Sequence, residues 1–476
     1  MKSRMLVSIL LVVGSTLLPV GLAPPASGTA VTYTQVSAGE FHTCALVSGG
    51  SVKCWGGNYN GQLGSGSRTD SHVPVAVSDL SGATQIAAGE RDTCALLAGG
   101  SVKCWGDSQY GQLGDGTTTS SLVPVDVSGL SGATQIAAGG IHACAIVSGG
   151  AVKCWGGNAY GQLGNGTTTD SSVPVDVSGL SGATQIAAGG FFTCALLPGG
   201  TADCWGDDTF GQLGGGTSTD SSLPVGVPGF SGATQIAAGF DHICAILSGG
   251  AVKCWGANTW GQLGNGTADW DPHPIPADVP GLPGASGIAA GGWHTCALVG
   301  GPVKCWGQNS WGQLGNGTTT TSAVPVGVSG LTTATQAAAA YNHTCAVVSG
   351  GRAKCWGDNY YGELGNGTTR SSKVPVGVVA GPQVTALSIN APSTVPQGTQ
   401  AAISGRLSSP DVSCMSSQRV RLKKGGAPAG TVRTSASGAY RFVTGVITET
   451  TTVRVVHVGN TSCGPSSSVV KTIQVT

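Results

Sequence analysis

HTCALVSGGSVKCWGGNYNGQLG, residues 42–64, combines a cysteine hairpin turned by Ser-Gly-Gly, a Cys-Trp-Gly step and a Gly-Gln-Leu-Gly loop. The stretch returns six more times. After Cys44 and Cys54 come Cys94 and Cys104, Cys144 and Cys154, Cys194 and Cys204, Cys244 and Cys254, Cys296 and Cys305, and Cys345 and Cys355. A period near 50 residues marks an array whose units cannot bury a core alone, and seven strand-rich units closing on themselves make a propeller. With 9% charged residues and 81 glycines among 476, the chain is too apolar for disorder and too rich in glycine for long helices. We expect an all-β fold: a seven-bladed β-propeller over residues 31–382, then a β-sandwich over 383–476.

The hairpin register points to disulfides. A Ser48-Gly49-Gly50 turn pairs Val47 with Ser51 and sets Cys44 opposite Cys54. Repeat six is one residue shorter, yet a Gly300-Gly301 turn pairs Val299 with Pro302 and sets Cys296 opposite Cys305. Directly opposed strand residues have Cα separations of about 4.5–5.5 Å, inside the disulfide range. The 16 cysteines therefore read as seven hairpin staples plus Cys414 with Cys463. Metal binding is the rival, because His42 and Cys44 share a strand face opposite Cys54. The knuckle spacing of structural zinc is absent, and Asp92 and Phe192 replace the histidine in two repeats. No metal or cofactor is expected.

Each repeat reads as four short strands, in repeat three Thr134–Ala138, His142–Val147, Ala151–Trp155 and Val173–Val177. Small Ala-Ala-Gly side chains suit the strand nearest a propeller axis, where blades converge. Trp55 and its six equivalents read as core between blades.

The order His-Thr-Cys-Ala-Leu (His42–Leu46), Val-Lys-Cys-Trp-Gly (Val52–Gly56) and Gly-Gln-Leu-Gly (Gly61–Gly64), renewed seven times over residues 33–380, resembles the repeat of the regulator of chromosome condensation family. WD-type repeats are shorter and end in Trp-Asp. The resemblance implies a seven-bladed propeller. The family's best-known member is a nuclear exchange factor for a small GTPase, a role that does not suit an exported chain without a basic chromatin-binding arm. Similar secreted bacterial propellers include an inhibitor of β-lactamases, which matches the expected compartment but lacks these cysteine pairs.

In a four-strand meander, the loops after the first and third strands emerge at one end of every blade. The connections at the other end, Ser-Gly-Gly and Ser-Gly-Leu-Ser-Gly, are monotonous. The first variable slot reads Glu40-Phe41, Glu90-Arg91, Gly140-Ile141, Gly190-Phe191, Phe240-Asp241, Gly292-Trp293 and Tyr341-Asn342. A second, before Gly-Gln-Leu-Gly, holds Asn60, Tyr110, Tyr160, Phe210, Trp260, Trp311 and Tyr361. Large side chains on a rigid scaffold's loops build recognition surfaces. Of 11 tryptophans, the four outside the Cys-Trp steps, Trp260, Trp270, Trp293 and Trp311, fall in the variable loops of repeats five and six. Trp and Tyr dominate binding hot spots. The expected binding residues are Phe41, Arg91, Phe191, Phe240, Asp241, Trp260, Trp270, Trp293, Trp311, Tyr341, Asn342 and Tyr361, centred over repeats five and six, and the partner is a protein or a surface glycan.

Catalysis is poorly supported. Asp207-Asp208 and Asp269 with Asp271 could supply acid and base carboxylates for chemistry on an envelope polymer, but such pairs commonly form turns. The Asn-Gly-Thr sites at Asn165, Asn265, Asn316 and Asn366 fit a glycosylation pattern but are first turn signals.

Lys2 and Arg4, an apolar run from Met5 and the small stretch Ala26-Ser27-Gly28-Thr29-Ala30 read as a secretory signal over residues 1–30. The run is short for a membrane span, so a secreted or surface-associated protein is expected. Residues 31–382 hold 11 Lys+Arg and 20 Asp+Glu (11 − 20 = −9), and 383–476 hold 9 and 2 (9 − 2 = +7). An acidic propeller does not suit nucleic acid. The C-terminal part carries seven short alternating strands, and Ser437-Gly438-Ala439-Tyr440-Arg441-Phe442 with Cys463 resembles bacterial immunoglobulin-like modules. Its basic strand, Arg419, Arg421, Lys423 and Lys424, suits an anionic envelope.

Overall fold

The computed structural model describes residues 31–379 and, with interruptions, 386–475. Residues 1–30 and both Cys414 and Cys463 lie outside the described residues. Seven four-stranded antiparallel meanders follow one another, the first made of Tyr33–Ala38, His42–Val47, Ser51–Gly56 and Ser71–Ala76. In the seventh, Ser372–Gly377 pairs with Arg352–Gly357 of its own repeat, so every blade is one repeat with no exchanged strand.

All seven hairpins are disulfide-stapled, with Cα separations of 4.0–4.1 Å. Val47 opposes Ser51, and in repeat six Cys296 still opposes Cys305 because Val299 N donates to Pro302 O at 2.9 Å across the shorter turn. Gly300 and Gly301 turn there with φ of 65° and 110°, a region costly for residues with a Cβ.

Three ties join successive blades. Nearest the axis, a glutamine on the innermost strand clasps the next blade's innermost backbone: Gln85 Nε2 donates to Ile136 O at 2.9 Å while Ile136 N donates to Gln85 Oε1 at 3.0 Å. Gln336 of blade 7 grips Val36 of blade 1 in the same way, while blade 6 carries Gly287 at this position.

Further out, His42 Nε2 meets Thr93 Oγ1 of the next blade at 2.8 Å, and His142–Thr193, His242–Thr295, His294–Thr344 and His343–Thr43 repeat the contact. Each threonine gives its proton to a backbone carbonyl, as Thr93 does to Gln62 O at 3.1 Å. The imidazole Nε2–H is therefore the donor of the latch, and Nδ1 is the bare nitrogen, buried without a hydrogen bond. Burial pushes all five imidazoles down to about 3. The remaining two junctions change on both sides: Asp92 faces a blade with Ala143, and Phe192 one with Ile243.

The third tie decodes the Gly-Gln-Leu-Gly motif. Each Cys-Trp indole is fully buried, and its Nε1–H donates to the motif carbonyl of the preceding blade, Trp105 to Gln62 O at 2.9 Å and Trp55 to Glu363 O at 2.7 Å. The last glycine lies under that indole, since a Cβ on Gly64 would sit 2.8 Å from Trp105 Nε1. Seven equivalent clusters of buried side chains, one at each junction, form the core.

The described C-terminal strands form a three-stranded sheet, with Ala402–Ser408 at its centre, and a second one including Arg419–Lys424, Thr451–His457 and Lys471–Val475. Val395, Ile403, Leu422, Tyr440, Phe442, Val453 and Val455 share one buried cluster. The Thr394–Val395 strand pairs in parallel with Lys471–Val475.

Candidate functional site

The first and third loops of each blade share one end of the propeller. Gly57 N on the third loop donates to Phe41 O on the first at 2.7 Å, and across a blade boundary the Phe41 and Tyr361 rings meet at 5.4 Å. The uniform connections meet at the other end, where Ala83 N donates to Gly50 O at 2.9 Å.

At the variable end the innermost strands surround a channel of about 350 Å³. Its wall is mostly alanine and glycine, and its mouth is lined by the first residue of every variable pair: Glu40, Glu90, Gly140, Gly190, Phe240, Gly292 and Tyr341. These seven are sterically coupled. A Cβ on Gly190 would lie 2.9 Å from Phe240 Cδ2, and one on Gly292 would lie 3.2 Å from Tyr341 Cδ2. The two rings, Phe240 and Tyr341, thus each lie over a glycine on the blade before them. Glu90 leans instead over Gly140, whose Cβ would come 3.1 Å from Glu90 Oε1.

The aromatic residues form a chain around this mouth. Tyr160 meets Phe191 at 5.2 Å, Phe191 meets Phe240 at 5.5 Å, Phe240 meets Tyr341 at 5.4 Å, and Tyr341 meets Trp293 at 4.3 Å. On blades 7 and 1, Tyr360, Tyr361 and Phe41 make a second group, with the Arg91 guanidinium 5.9 Å from the Phe41 ring centre. Arg91 Nε also pairs with Glu40 at 3.4 Å. Burial raises the Glu40 carboxyl against the opposing pull of Arg91. Burial, then the neighbouring Glu40 charge, pushes Glu90 up to about 7. Burial and Asp207 push Asp241 up to about 7.

The four extra indoles do not form one cluster. Trp293 joins the ring chain, while Trp260, Trp270 and Trp311 make no ring contact among the described residues. Trp270, in the two-residue insertion of repeat five, is 76% exposed. The Asn342 backbone carbonyl accepts from Asp358 N at 3.0 Å. Sequence reasoning left out Glu40, Glu90 and Tyr160 as site residues. The signal was present, since all three occupy the variable slots, but their convergence depends on blade-to-blade geometry.

The paired loop acids are engaged by their own loops. Asp208 accepts from Leu213 N at 2.9 Å and Thr219 N at 3.0 Å, the place that Asn58 holds toward Leu63 N in repeat one. Asp269 accepts from His273 Nε2 at 2.7 Å and Asp271 N at 3.3 Å. Asn165 Oδ1 accepts from Thr167 N and Oγ1, so this Asn-Gly-Thr site closes a turn. Among the described residues, no three potential metal ligands converge and no helix is long and apolar enough to cross a membrane.

Residues 15–283 match the RCC1-like domain, and residues 301–347 and 334–363 match the regulator of chromosome condensation (RCC1) repeat. Comparison with curated proteins finds no match. Among solved structures, Prp20p from Saccharomyces cerevisiae, described with its binding to Gsp1p and histones, is 22% identical over 73% of this chain and 87% of its own, with a TM-score of 0.60. The structure of Kap60 bound to yeast RCC1 (Prp20) matches at 20% identity over 78% of this chain and 90% of that one, with a TM-score of 0.63. Human WBSCR16 is 24% identical over 67% of this chain and 87% of its own, with a TM-score of 0.60. At these identities the likeness is one of fold, and with the family match spanning more than half of the sequence, the chain belongs to the RCC1-like repeat family of seven-bladed propellers.

Proposed function

We propose that this chain is a secreted or surface-associated recognition protein, not an enzyme, that binds a protein partner through the variable end of its disulfide-stapled propeller. The observation that carries this reading is the chain of rings from Tyr160 through Phe191, Phe240 and Tyr341 to Trp293 around the channel mouth, facing away from a uniform opposite end. Interlocked rings are rigid, so they lose little conformational freedom when a partner covers them. The related Prp20p is itself described with binding to proteins, Gsp1p and histones. The C-terminal part acts as an immunoglobulin-like module, whose basic strand holds the propeller near an anionic envelope. Phe41, Arg91, Asp241, Asn342 and Tyr361 extend the contact around the rim.

A surface glycan is the second reading, favoured by Trp270, whose indole is exposed and makes no ring contact. Exposed rings of this kind stack on sugars. Cross-linked capture from the native envelope separates the two. A protein captured by the wild type and lost with Trp293→Ala and Tyr341→Ala, but kept with Trp270→Ala, supports the first reading. Capture that soluble sugars compete away and that fails in Trp270→Ala supports the second.

A further inference from the structure

The channel wall is built from uncharged small residues, so its electrostatic character is set at the mouth. There the two kinds of residue are segregated: Glu40 and Glu90 stand on blades 1 and 2, Phe240 and Tyr341 on blades 5 and 7. Trp293 backs Tyr341, and the Tyr341 hydroxyl lies in the fields of Glu90, Glu40 and Asp241, with Arg91 as the one opposing charge. Arg91 is occupied by Glu40 and by the Phe41 ring. No hydrogen bond reaches the Glu90 carboxylate from any described residue. Behind it Asp92 is fully buried, neither of its oxygens is hydrogen-bonded, and it lies in the field of Glu90. Asp92 Oδ1 is directed at Gly89, a residue of the channel wall, where a Cβ would come within 2.5 Å of it.

Carboxylates on one side of a hollow of about 350 Å³ and rings on the other complement a long side chain with an apolar stem and a cationic head. An anion is repelled by Glu40, Glu90 and Asp241. An apolar side chain leaves the Glu90 carboxylate desolvated without a partner, which is costly. A bare metal ion has no converging set of three ligands among the described residues.

We propose that the channel mouth is a socket for a single lysine or arginine side chain of the protein partner, its stem along Phe240 and Tyr341 and its head on Glu90, with Glu40 beside it. The socket rests on the protein-partner reading and adds the chemistry of the residue that anchors it. Charge-assisted hydrogen bonds in a partly desolvated site are stronger than those between neutral groups, so one basic residue would contribute a large share of the affinity.

The test uses the full chain and a phage-displayed library of random linear peptides, with selected peptides then synthesised. Enriched sequences should share a lysine or arginine at one position. Replacing that residue by norleucine, or Glu90 by Gln in the protein, should each weaken binding about tenfold, and the two changes together should cost little more than either alone. Glu90→Gln preserves shape, and a melting temperature no lower than that of the wild type shows that folding is not the cause of the loss. The socket is overturned if enriched peptides lack a common basic residue, if Glu90→Gln shifts affinity less than about twofold, or if only glycans bind. Peptides that depend on Trp293 and Tyr341 but are indifferent to Glu90 sink the socket and leave the recognition face standing. A library without enrichment overturns the socket, and the envelope capture then decides the face separately.

Discussion

Asp92 occupies a place built for an imidazole. In five junctions a histidine donates to a threonine that passes its own proton to a carbonyl, while here a carboxyl faces a blade whose residue is Ala143, and Gln112 O is left with the Trp155 indole as its partner. Burial, then Asp107 and Glu90, holds the Asp92 carboxyl well above its usual range. Restoring both halves of the latch should therefore do what neither does alone. Asp92→His buries an Nε2–H without its acceptor, and Ala143→Thr adds a hydroxyl without its donor. The double variant should exceed the sum of the single changes by about 1 kcal/mol in unfolding free energy. Denaturant unfolding of the four proteins measures this coupling, and a value of zero would contradict the latch.

The hairpin is the element on which the ring is built, and its staple closes a short loop of sequence separation 10, or 9 in repeat six. Loop-closure entropy assigns each such bridge about 2–3 kcal/mol. Replacing Cys144 and Cys154 together by serine should lower stability by that order and raise amide exchange first in the two strands of blade 3, since neighbouring blades keep their own bridges. Exchange that rises evenly round the ring would show that the staples act globally. The hairpin was also the element most legible in the sequence. A period of two and a glycine turn fix which residues oppose, so the cysteine pairs and the shortened turn at Gly300-Gly301 could be read directly. The motif Gly-Gln-Leu-Gly was visible but its meaning was not, because its partner is the indole of the next repeat. The same holds for the rim. Gly190 and Gly292 read as freely varying until Phe240 and Tyr341 are seen lying over them. Compensation between blades has no fixed spacing within a repeat, so the extra tryptophans suggested a cluster over repeats five and six, whereas of the four only Trp293 lies in the chain of rings.

For the whole molecule, the ring closes from blade 7 to blade 1 with all three kinds of tie, Gln336 to Val36, His343 to Thr43 and Trp55 to Glu363 O, whereas two other junctions lack the His–Thr pair and one lacks the glutamine. Such a closed array carries two opposed sets of buried titratable groups. The five latch imidazoles ionise near 3 when folded against 6.5 when free, so the stability they contribute is complete above pH 6.5 and is lost as pH falls toward 3. Glu90 and Asp241 near 7 and Glu363 near 8 are raised by burial from 4.5 and 3.8, so the folded state holds their protons more tightly and gains stability as pH falls from about 8 to about 4.5. The two trends oppose each other between pH 6.5 and 4.5, and below that window only the imidazole loss continues. Melting temperature should rise on going from pH 8 to 6.5, fall gently to 4.5 because five imidazoles outnumber the three carboxyls, and drop more steeply toward 3. Glu363→Gln tests the assignment, because Gln is the residue of the other six repeats and Glu363 Oε2 already accepts from Tyr361 N at 3.0 Å as Gln62 Oε1 does from Asn60 N. The variant should be more stable than the wild type by about 1–3 kcal/mol at pH 8, where a buried carboxylate is replaced by a neutral amide, and the difference should vanish near pH 4.5. Calorimetry across that range would reject the buried-carboxyl half of this balance if the two proteins melted in parallel at every pH.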